Sequence, residues 1–139
     1  MKKAAFLDKV FNLFDMEPRL QYQLEHEQID GSVSFDTDDY IVEAKWHKSV
    51  IERRDVDAFA QVVGRKVRDA LGIYVSVNGF STGVLQEYHE RSSFLAIDGH
   101  DLICVLEQRV RLDDLIKRKK RHVNETGSCY YPAARMIAD

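Results

Sequence analysis

The chain has 139 residues, a net charge of −3 and a hydrophobic fraction of 45%, which fits one compact soluble domain. It has no apolar run near the roughly 20 residues that span a bilayer, and its charged start is unlike a signal peptide. Two cysteines are too few for a disulfide framework or a cysteine-rich zinc site, so we expect a cytoplasmic protein with no membrane partner.

The first predicted elements are a helix and a β-hairpin. Apolar residues at helical spacing predict a helix in the N-terminal segment 1–18, from Lys3 to Asp15, and a proline then ends it. Residues 20–35 are predicted to be extended. Residues 36–39 are rich in aspartate and form a turn, and residues 40–46 form the next strand.

Helices and strands alternate in the rest of the chain. Apolar residues at spacings of three and four predict an amphipathic helix that is capped by Asp55 and ends near Gly72. The later elements are a strand at 73–77, a helix at 82–91, a strand at 94–97, and helices at 102–106 and 112–121. This order predicts an α/β fold with a mixed central sheet flanked by helices. We expect one domain over residues 1–139, with a loose tail at 124–139.

The apolar pattern of the hairpin predicts its register. A turn that is symmetric about Thr37 and Asp38 places apolar or small residues opposite each other on one face. The predicted pairs are Phe35 with Tyr40, Val33 with Val42, Gly31 with Ala44, and Ile29 with Trp46. A slip by one residue would turn this face outward, so its burial fixes which side chains share a face.

The other face of the predicted hairpin carries three polar residues. Asp30 lies opposite Lys45, and Glu43 is diagonal to Asp30, with Cβ atoms roughly 7–8 Å apart or less. Two carboxylates this close can share a hard cation such as Mg²⁺, with the main-chain carbonyl of Ala44 as a further ligand. Lys45 is then placed to position or deprotonate a water that the metal activates for attack on a phosphodiester. The alternative is an ordinary solvated ion pair, worth a fraction of a kcal/mol.

Segments around this hairpin resemble a nuclease family. Glu-Gln-Ile-Asp-Gly at 27–31 and Tyr-Ile-Val-Glu-Ala-Lys-Trp at 40–46 resemble the restriction-endonuclease-like PD-(D/E)xK superfamily, and within it the Mrr-like branch. The similarity continues through residues 72–81 and 94–106. The resemblance therefore covers most of the chain and implies a restriction-endonuclease-like fold.

The residues of the family motif are present with two departures. An aspartate on one strand precedes Glu-x-Lys on the next, and Asp30 and Glu43 to Lys45 occupy these positions. Mrr-like members often carry glutamine where this chain keeps Glu43, and Ile29 replaces the proline that often precedes the aspartate. The resemblance implies a Mg²⁺-dependent endonuclease that hydrolyses DNA and in which Mn²⁺ can replace Mg²⁺. The implied role is restriction of foreign or modified DNA.

Other polar residues near the motif are assigned to different roles. Glu27 shares the parity of the buried face and becomes an extra ligand only if the strand bends. Gln61 is expected to face solvent beside the apolar stripe of its helix, although some relatives place a site glutamine there. His47 and His100 are expected to be solvated, and Cys104 is expected in the core.

The expected partners follow from the chemistry. DNA is the predicted substrate, and basic residues at 45–54, 65–68 and 117–122 either contact its phosphates or form solvated helix faces. We predict a homodimer, because cutting both strands usually needs two sites. We also predict a fused or separate specificity domain, because no recognition helix is visible. A non-catalytic nucleic-acid or protein interaction module with the same fold, and a nuclease acting on RNA or branched DNA, stay open as alternatives.

Overall fold

Five strands and six helices are formed by the residues that the computed structural model describes, which are 2–23, 28–46, 48–66 and 70–138. In chain order they are α1 (Lys2–Asn12), β1 (Arg19–Gln23), β2 (Gln28–Phe35), β3 (Asp38–Lys45), α2 (Arg53–Gly64), β4 (Leu71–Ser76), α3 (Thr82–Glu87), β5 (Phe94–Asp98), α4 (Gly99–Leu106), α5 (Leu112–Thr126) and α6 (Ala133–Ala138). No helix in the described ranges is long and apolar enough to cross a membrane.

The strands form one mixed sheet in the order β1-β2-β3-β4-β5. The pairs β1–β2 and β2–β3 are antiparallel, whereas β3–β4 and β4–β5 are parallel. The parallel pairs require crossover connections, and α2 and α3 supply them. The predicted α/β fold with a mixed sheet and flanking helices is therefore confirmed.

Two hydrophobic cores lie on opposite faces of the sheet. The first packs α1, α4, α5 and α6 against alternate strand residues, namely Ile29, Val33, Tyr40, Val42, Ala44, Ile73, Val75, Leu95 and Ile97. The second packs α2 and α3 against the other face, with buried members Val56, Phe59, Val63, Tyr74, Val84, Phe94 and Ala96. Successive side chains of a strand point to opposite faces, so Asp30, Glu43 and Lys45 lie on the α2 side.

The hairpin between β2 and β3 differs from the predicted register by two residues. Asp36 and Thr37 form its tip with φ of 52° and 70°, so Phe35 lies opposite Asp38 and Val33 opposite Tyr40. A two-residue turn with positive φ at both positions matches the right-handed twist of the strands, and aspartate adopts this conformation readily. The shift is even, so each side chain keeps its predicted face while its predicted cross-strand partner is wrong.

The predicted extended segment 20–35 contains two strands. β1 and β2 are antiparallel neighbours, and residues 24–27 between them lie outside the described ranges. Their close approach depends on Gly31, since a Cβ there would lie 1.9 Å from the Arg19 carbonyl oxygen. The glycine that follows Asp30 is thus required for β1 to pair beside it.

Gly31→Ala is expected to lower the free energy of unfolding by about 2–3 kcal/mol, because backbone must move to admit the methyl group. Urea unfolding followed by the fluorescence of the single tryptophan, Trp46, measures this change. Gly64→Ala is the matched control, since no atom lies within 4 Å of its added Cβ at the end of α2. Equal unfolding midpoints for the two variants would contradict the predicted strain.

The ends of several helices also differ from the sequence prediction. α2 ends at Gly64 rather than near Gly72, and α3 ends at Glu87 rather than at residue 91. The first residue of α2 is Arg53 and its cap is Glu52, so Asp55 occupies the third helical position rather than the cap. The last turn of α5 reaches Thr126, and Gly127 caps it with φ of 81°.

The tail that the sequence predicts to be loose packs against the core. Cys129, Ala133 and Met136 are buried, and the Ala96 amide of β5 donates to the Cys129 carbonyl oxygen at 3.0 Å. Because these residues are too few to form a recognisable periodic pattern, their packing depends on partners distant in sequence.

Candidate active site

Asp30 and Glu43 face each other directly across β2 and β3. The sequence predicts a diagonal arrangement, and the two-residue change of register makes the two residues direct neighbours instead. The Cβ atoms of residues opposed in this way lie roughly 4.5–5.5 Å apart. The same row continues on β4, where Tyr74 is the partner of Glu43. Three polar side chains therefore lie side by side on the α2 face.

Glu43 is a carboxyl group whose surroundings oppose its ionisation. Burial raises its pKa to about 7, with smaller increases from Asp30 and Asp55, while Tyr74 and Lys45 act in the opposite direction. A carboxyl group with this pKa is partly protonated at neutral pH unless a further positive charge approaches.

The Tyr74 hydroxyl lies beside Glu43. Tyr74 is fully buried, and its hydroxyl oxygen forms no hydrogen bond of normal geometry with any described residue. Burial, followed by the charge of Glu43, raises the pKa of Tyr74 far above its usual range. The hydroxyl therefore stays protonated, and it is a hydrogen-bond donor beside the carboxylate of Glu43.

Asp30 is held by a neighbour two residues earlier on the same strand. The Gln28 Nε2 donates to both carboxylate oxygens of Asp30, at 2.9 Å and 3.2 Å. Sequence reasoning missed Gln28, although the alternation of strand side chains places residues 28 and 30 on one face.

Lys45 is positioned by α2 rather than by Asp30. Its cross-strand partner is Gln28, and its Nζ donates to Asp55 Oδ1 at 3.1 Å. Both side chains are largely withdrawn from solvent, with 12% of Lys45 and 22% of Asp55 exposed. The predicted opposition of Asp30 and Lys45 is therefore wrong, and the residue that holds the lysine is Asp55.

Asp55 is itself fixed at the start of α2. Its second carboxylate oxygen accepts the Glu52 amide at 3.4 Å, as part of a capping box. Sequence reasoning assigned Asp55 to helix capping alone. The spacing gives no signal for its contact with Lys45, because that contact depends on how α2 returns to the sheet.

The donor set fits a hard divalent cation with several water ligands. Asp30 and Glu43 offer two carboxylates, and the main chain of Ala44 runs between Glu43 and Lys45. Within the described ranges no group of three or more histidine, cysteine or acidic side chains is arranged to hold a metal. Mg²⁺ commonly uses one or two carboxylates and keeps its waters, so the pair is sufficient. A cation there would also favour the ionised form of Glu43.

Metal-free protein is expected to lose stability as the pH rises through the range in which Glu43 ionises. Its folded pKa, about 7, exceeds the ordinary 4.5, so the folded state binds more protons between these values and stability falls as pH increases. Glu43→Gln removes this dependence. When the pH is raised from 4 to 8, the free energy of unfolding should fall by about 2 kcal/mol more in wild type than in Glu43→Gln.

Urea unfolding of wild type and Glu43→Gln in chelator, at both pH values, measures that difference. Glu52→Gln is the matched control, because Glu52 is exposed at the cap of α2. A difference between Glu43→Gln and wild type that does not change with pH would contradict the pKa of Glu43.

The remaining candidates lie away from this group. Gln61 is exposed on α2, and His100 is exposed at the start of α4, on the other side of the sheet. Cys104 is buried in the core, as predicted. Glu27 and His47 lie outside the described residues, as do residues 67 and 68 of the basic segment 65–68.

Comparison with known proteins gives one match. The family model for restriction endonucleases with the Mrr catalytic domain matches residues 5–106. No curated protein and no solved structure matches the chain. The matched segment runs from α1 to α4 and contains Asp30, Glu43, Lys45 and Asp55.

Proposed function

This chain belongs to the restriction endonuclease family with the Mrr catalytic domain and is a nuclease domain that acts on DNA; from this premise, we propose that it is a Mg²⁺-dependent endodeoxyribonuclease. Its catalytic residues in this proposal are Asp30, Glu43 and Lys45. The observation that carries the proposal is the directly opposed pair Asp30 and Glu43, beside a lysine that is nearly buried.

Asp30 and Glu43, with the main-chain carbonyl of Ala44, would hold the ion. When bound, Mg²⁺ supplies positive charge to the phosphate and lowers the pKa of the attacking water. Mn²⁺ is expected to substitute, because it accepts the same oxygen ligands.

The protein side chains supply orientation and hydrogen-bond donors. Lys45 uses one of its N–H donors on Asp55, which leaves others for a phosphate oxygen or the attacking water. Asp55 limits the movement of the ammonium group, so this donor is in place before substrate binds. Gln28 holds both oxygens of Asp30 and must share them when a cation binds.

Purified protein is expected to nick or cut supercoiled plasmid with Mg²⁺ or Mn²⁺ and to lose this activity in chelator. Calorimetric titration with Mn²⁺ should give a binding site that Asp30→Asn removes, because the variant lacks a carboxylate charge. Asp39→Asn is the matched control, since Asp39 is an exposed aspartate near the tip of the same hairpin.

Cleavage by Asp30→Asn at the wild-type rate would reject the site. A wild-type protein without an Asp30-dependent Mn²⁺ site would instead favour the non-catalytic interaction module.

We further propose restriction of foreign or modified DNA as the role of this activity, in the cytoplasm. A homodimer would cut both strands, and a fused or separate domain would supply specificity. Cleavage of a panel of unmodified, methylated and branched DNA and RNA substrates tests the restriction role. Sedimentation with and without DNA tests the homodimer.

A further inference from the structure

An arginine-rich surface lies apart from the proposed active site. It comprises five exposed arginines from the loop after α4, from α5 and its cap, and from α6, and we call it the arginine face: Arg109, Arg111, Arg118, Arg121 and Arg135. Because three separate segments contribute to it, the charge does not result from one basic helix alone.

The sheet separates the arginine face from the site. The inner side of α5 packs through Leu115 and Ile116 into the core that contains Ile29 and Ala44. Those strand residues point away from the face that carries Glu43. The exposed side of α5 is therefore directed away from the carboxylate pair, with the helix and the sheet between them.

The arginine face is also displaced along the strands. α4 begins directly after β5, at the end of the sheet where Lys45 pairs with Ser76. Arg109 follows the opposite end of α4. Arg111 lies over the Phe14 ring, 5.2 Å from its centroid, and Lys120 of α5 pairs with Asp38 near the hairpin tip. The arginines thus lie toward the hairpin tip, whereas the carboxylate pair lies toward the opposite ends of the strands.

Two clefts open on this surface, and Arg118 lines both. One, of about 280 Å³, also contains Arg109 and Arg111. The other, of about 410 Å³, also contains Arg121 and a stacked pair of rings, His122 and Tyr131, whose centroids are 4.6 Å apart. Guanidinium groups around a concave surface match the bidentate geometry of phosphate oxygens better than lysines would.

The positive charge of the arginine face is only partly compensated. Arg111 pairs with Asp113 and Arg121 with Glu125, and Asp114 lines the first cleft beside Arg111 and Arg118. Arg109, Arg118 and Arg135 form no salt bridge to any described residue. The chain as a whole has a net charge of −3, so this basic surface is a local concentration against the average. A polyanion is the partner that such a surface fits.

We propose that the arginine face binds the phosphate backbone of a second segment of duplex DNA, separate from the segment at the active site. The choice of DNA as the polyanion rests on the proposed nuclease function. A separate segment is required because α5, roughly 10 Å across, and the sheet stand between the two surfaces, so a straight duplex at one does not reach the other. The protein would thereby hold two DNA segments together.

The test compares two triple charge reversals in wild-type background. The first is Arg109→Glu, Arg118→Glu and Arg135→Glu, which removes the unpaired cations of the arginine face. The second is the dispersed control Lys3→Glu, Lys9→Glu and Arg91→Glu, which makes the same charge change at exposed positions outside the arginine face. Thermal unfolding is used to check that both variants fold, and binding to labelled duplex is measured in chelator so that cleavage does not interfere.

The arginine-face variant is expected to bind duplex at least tenfold more weakly than the control, with a salt dependence reduced by about two to three released ions. Energy transfer between two differently labelled duplexes should report bridging by wild type and by the control, and none by the arginine-face variant. Equal affinity of the two triple variants, or bridging by the arginine-face variant, would overturn the proposal.

The outcome is separable from that of the proposed function. Bridging without cleavage by wild type would reject the nuclease mechanism and leave the arginine face supported. Cleavage that depends on Lys45, combined with unchanged bridging by the arginine-face variant, would reject the arginine face and leave the nuclease supported.

Discussion

Lys45→Ala is expected to lower the rate of Mg²⁺-dependent DNA cleavage about a thousandfold while the fold persists. The expected loss is large because the lysine is 12% exposed and already held by Asp55, so its donors are preorganised at the carboxylate pair. Single-turnover cleavage of a labelled duplex with saturating enzyme measures the rate.

Lys48→Ala is the control for this prediction. Lys48 is an exposed lysine in the loop after β3, so its loss should change weak phosphate contacts and leave the rate within a few-fold. Mn²⁺ titration of Lys45→Ala should still show a site, since Asp30 and Glu43 are intact. Cleavage by Lys45→Ala at a rate like that of Lys48→Ala would remove Lys45 from the mechanism.

Asp55→Asn distinguishes positioning from direct chemistry at the same place. The amide keeps the size of the side chain but loses the charge that holds Lys45. The rate at saturating substrate should fall less than in Lys45→Ala, with little change in the substrate concentration that gives half the maximal rate.

The sequence predicts which residues share a face of the hairpin better than it predicts their partners. Alternation alone places Asp30, Glu43 and Lys45 on one face, because any even change of register leaves each side chain on the same face of the sheet. The register depends on which two residues form the turn, and the run from Asp36 to Asp39 allows more than one choice. The contact between Lys120 and Asp38, which are distant in the chain, is one that local patterns do not reveal.

The residues that support the site are harder to predict, because their contacts depend on how distant segments of the chain pair and pack. Tyr74 reaches Glu43 only because β4 pairs with β3 in one parallel register. Asp55 reaches Lys45 only because α2 packs on that face through Val56 and Phe59. A tyrosine in an apolar strand and an aspartate near a helix start have ordinary local explanations, so neither stands out in the sequence.

A buried ion pair holds the C-terminal segment to the core, and its disruption should have the largest effect on stability. Lys119 is 1% exposed and Asp101 2%, with Nζ and Oδ2 3.0 Å apart. The Lys119 ammonium also donates to the carbonyl oxygens of Ala96 and Tyr131, at 2.9 Å and 2.7 Å. Asp101 Oδ1 accepts the Ala133 amide at 2.8 Å. The network joins α4, β5 and α5 to the residues that begin α6.

Lys119→Met is expected to lower the free energy of unfolding by about 3–5 kcal/mol, because it leaves the Asp101 carboxylate buried without its cation. Lys117→Met, on the exposed side of the same helix, should change stability by less than about 0.5 kcal/mol. Lys119→Met combined with Asp101→Asn should recover part of the loss, since the uncompensated charge is gone. Urea unfolding of the three variants measures these differences, and hydrogen exchange at the Ala133 amide should quicken in Lys119→Met before the strands are exposed. If both single lysine variants unfolded at the same urea concentration, the ion pair would not be what holds this segment.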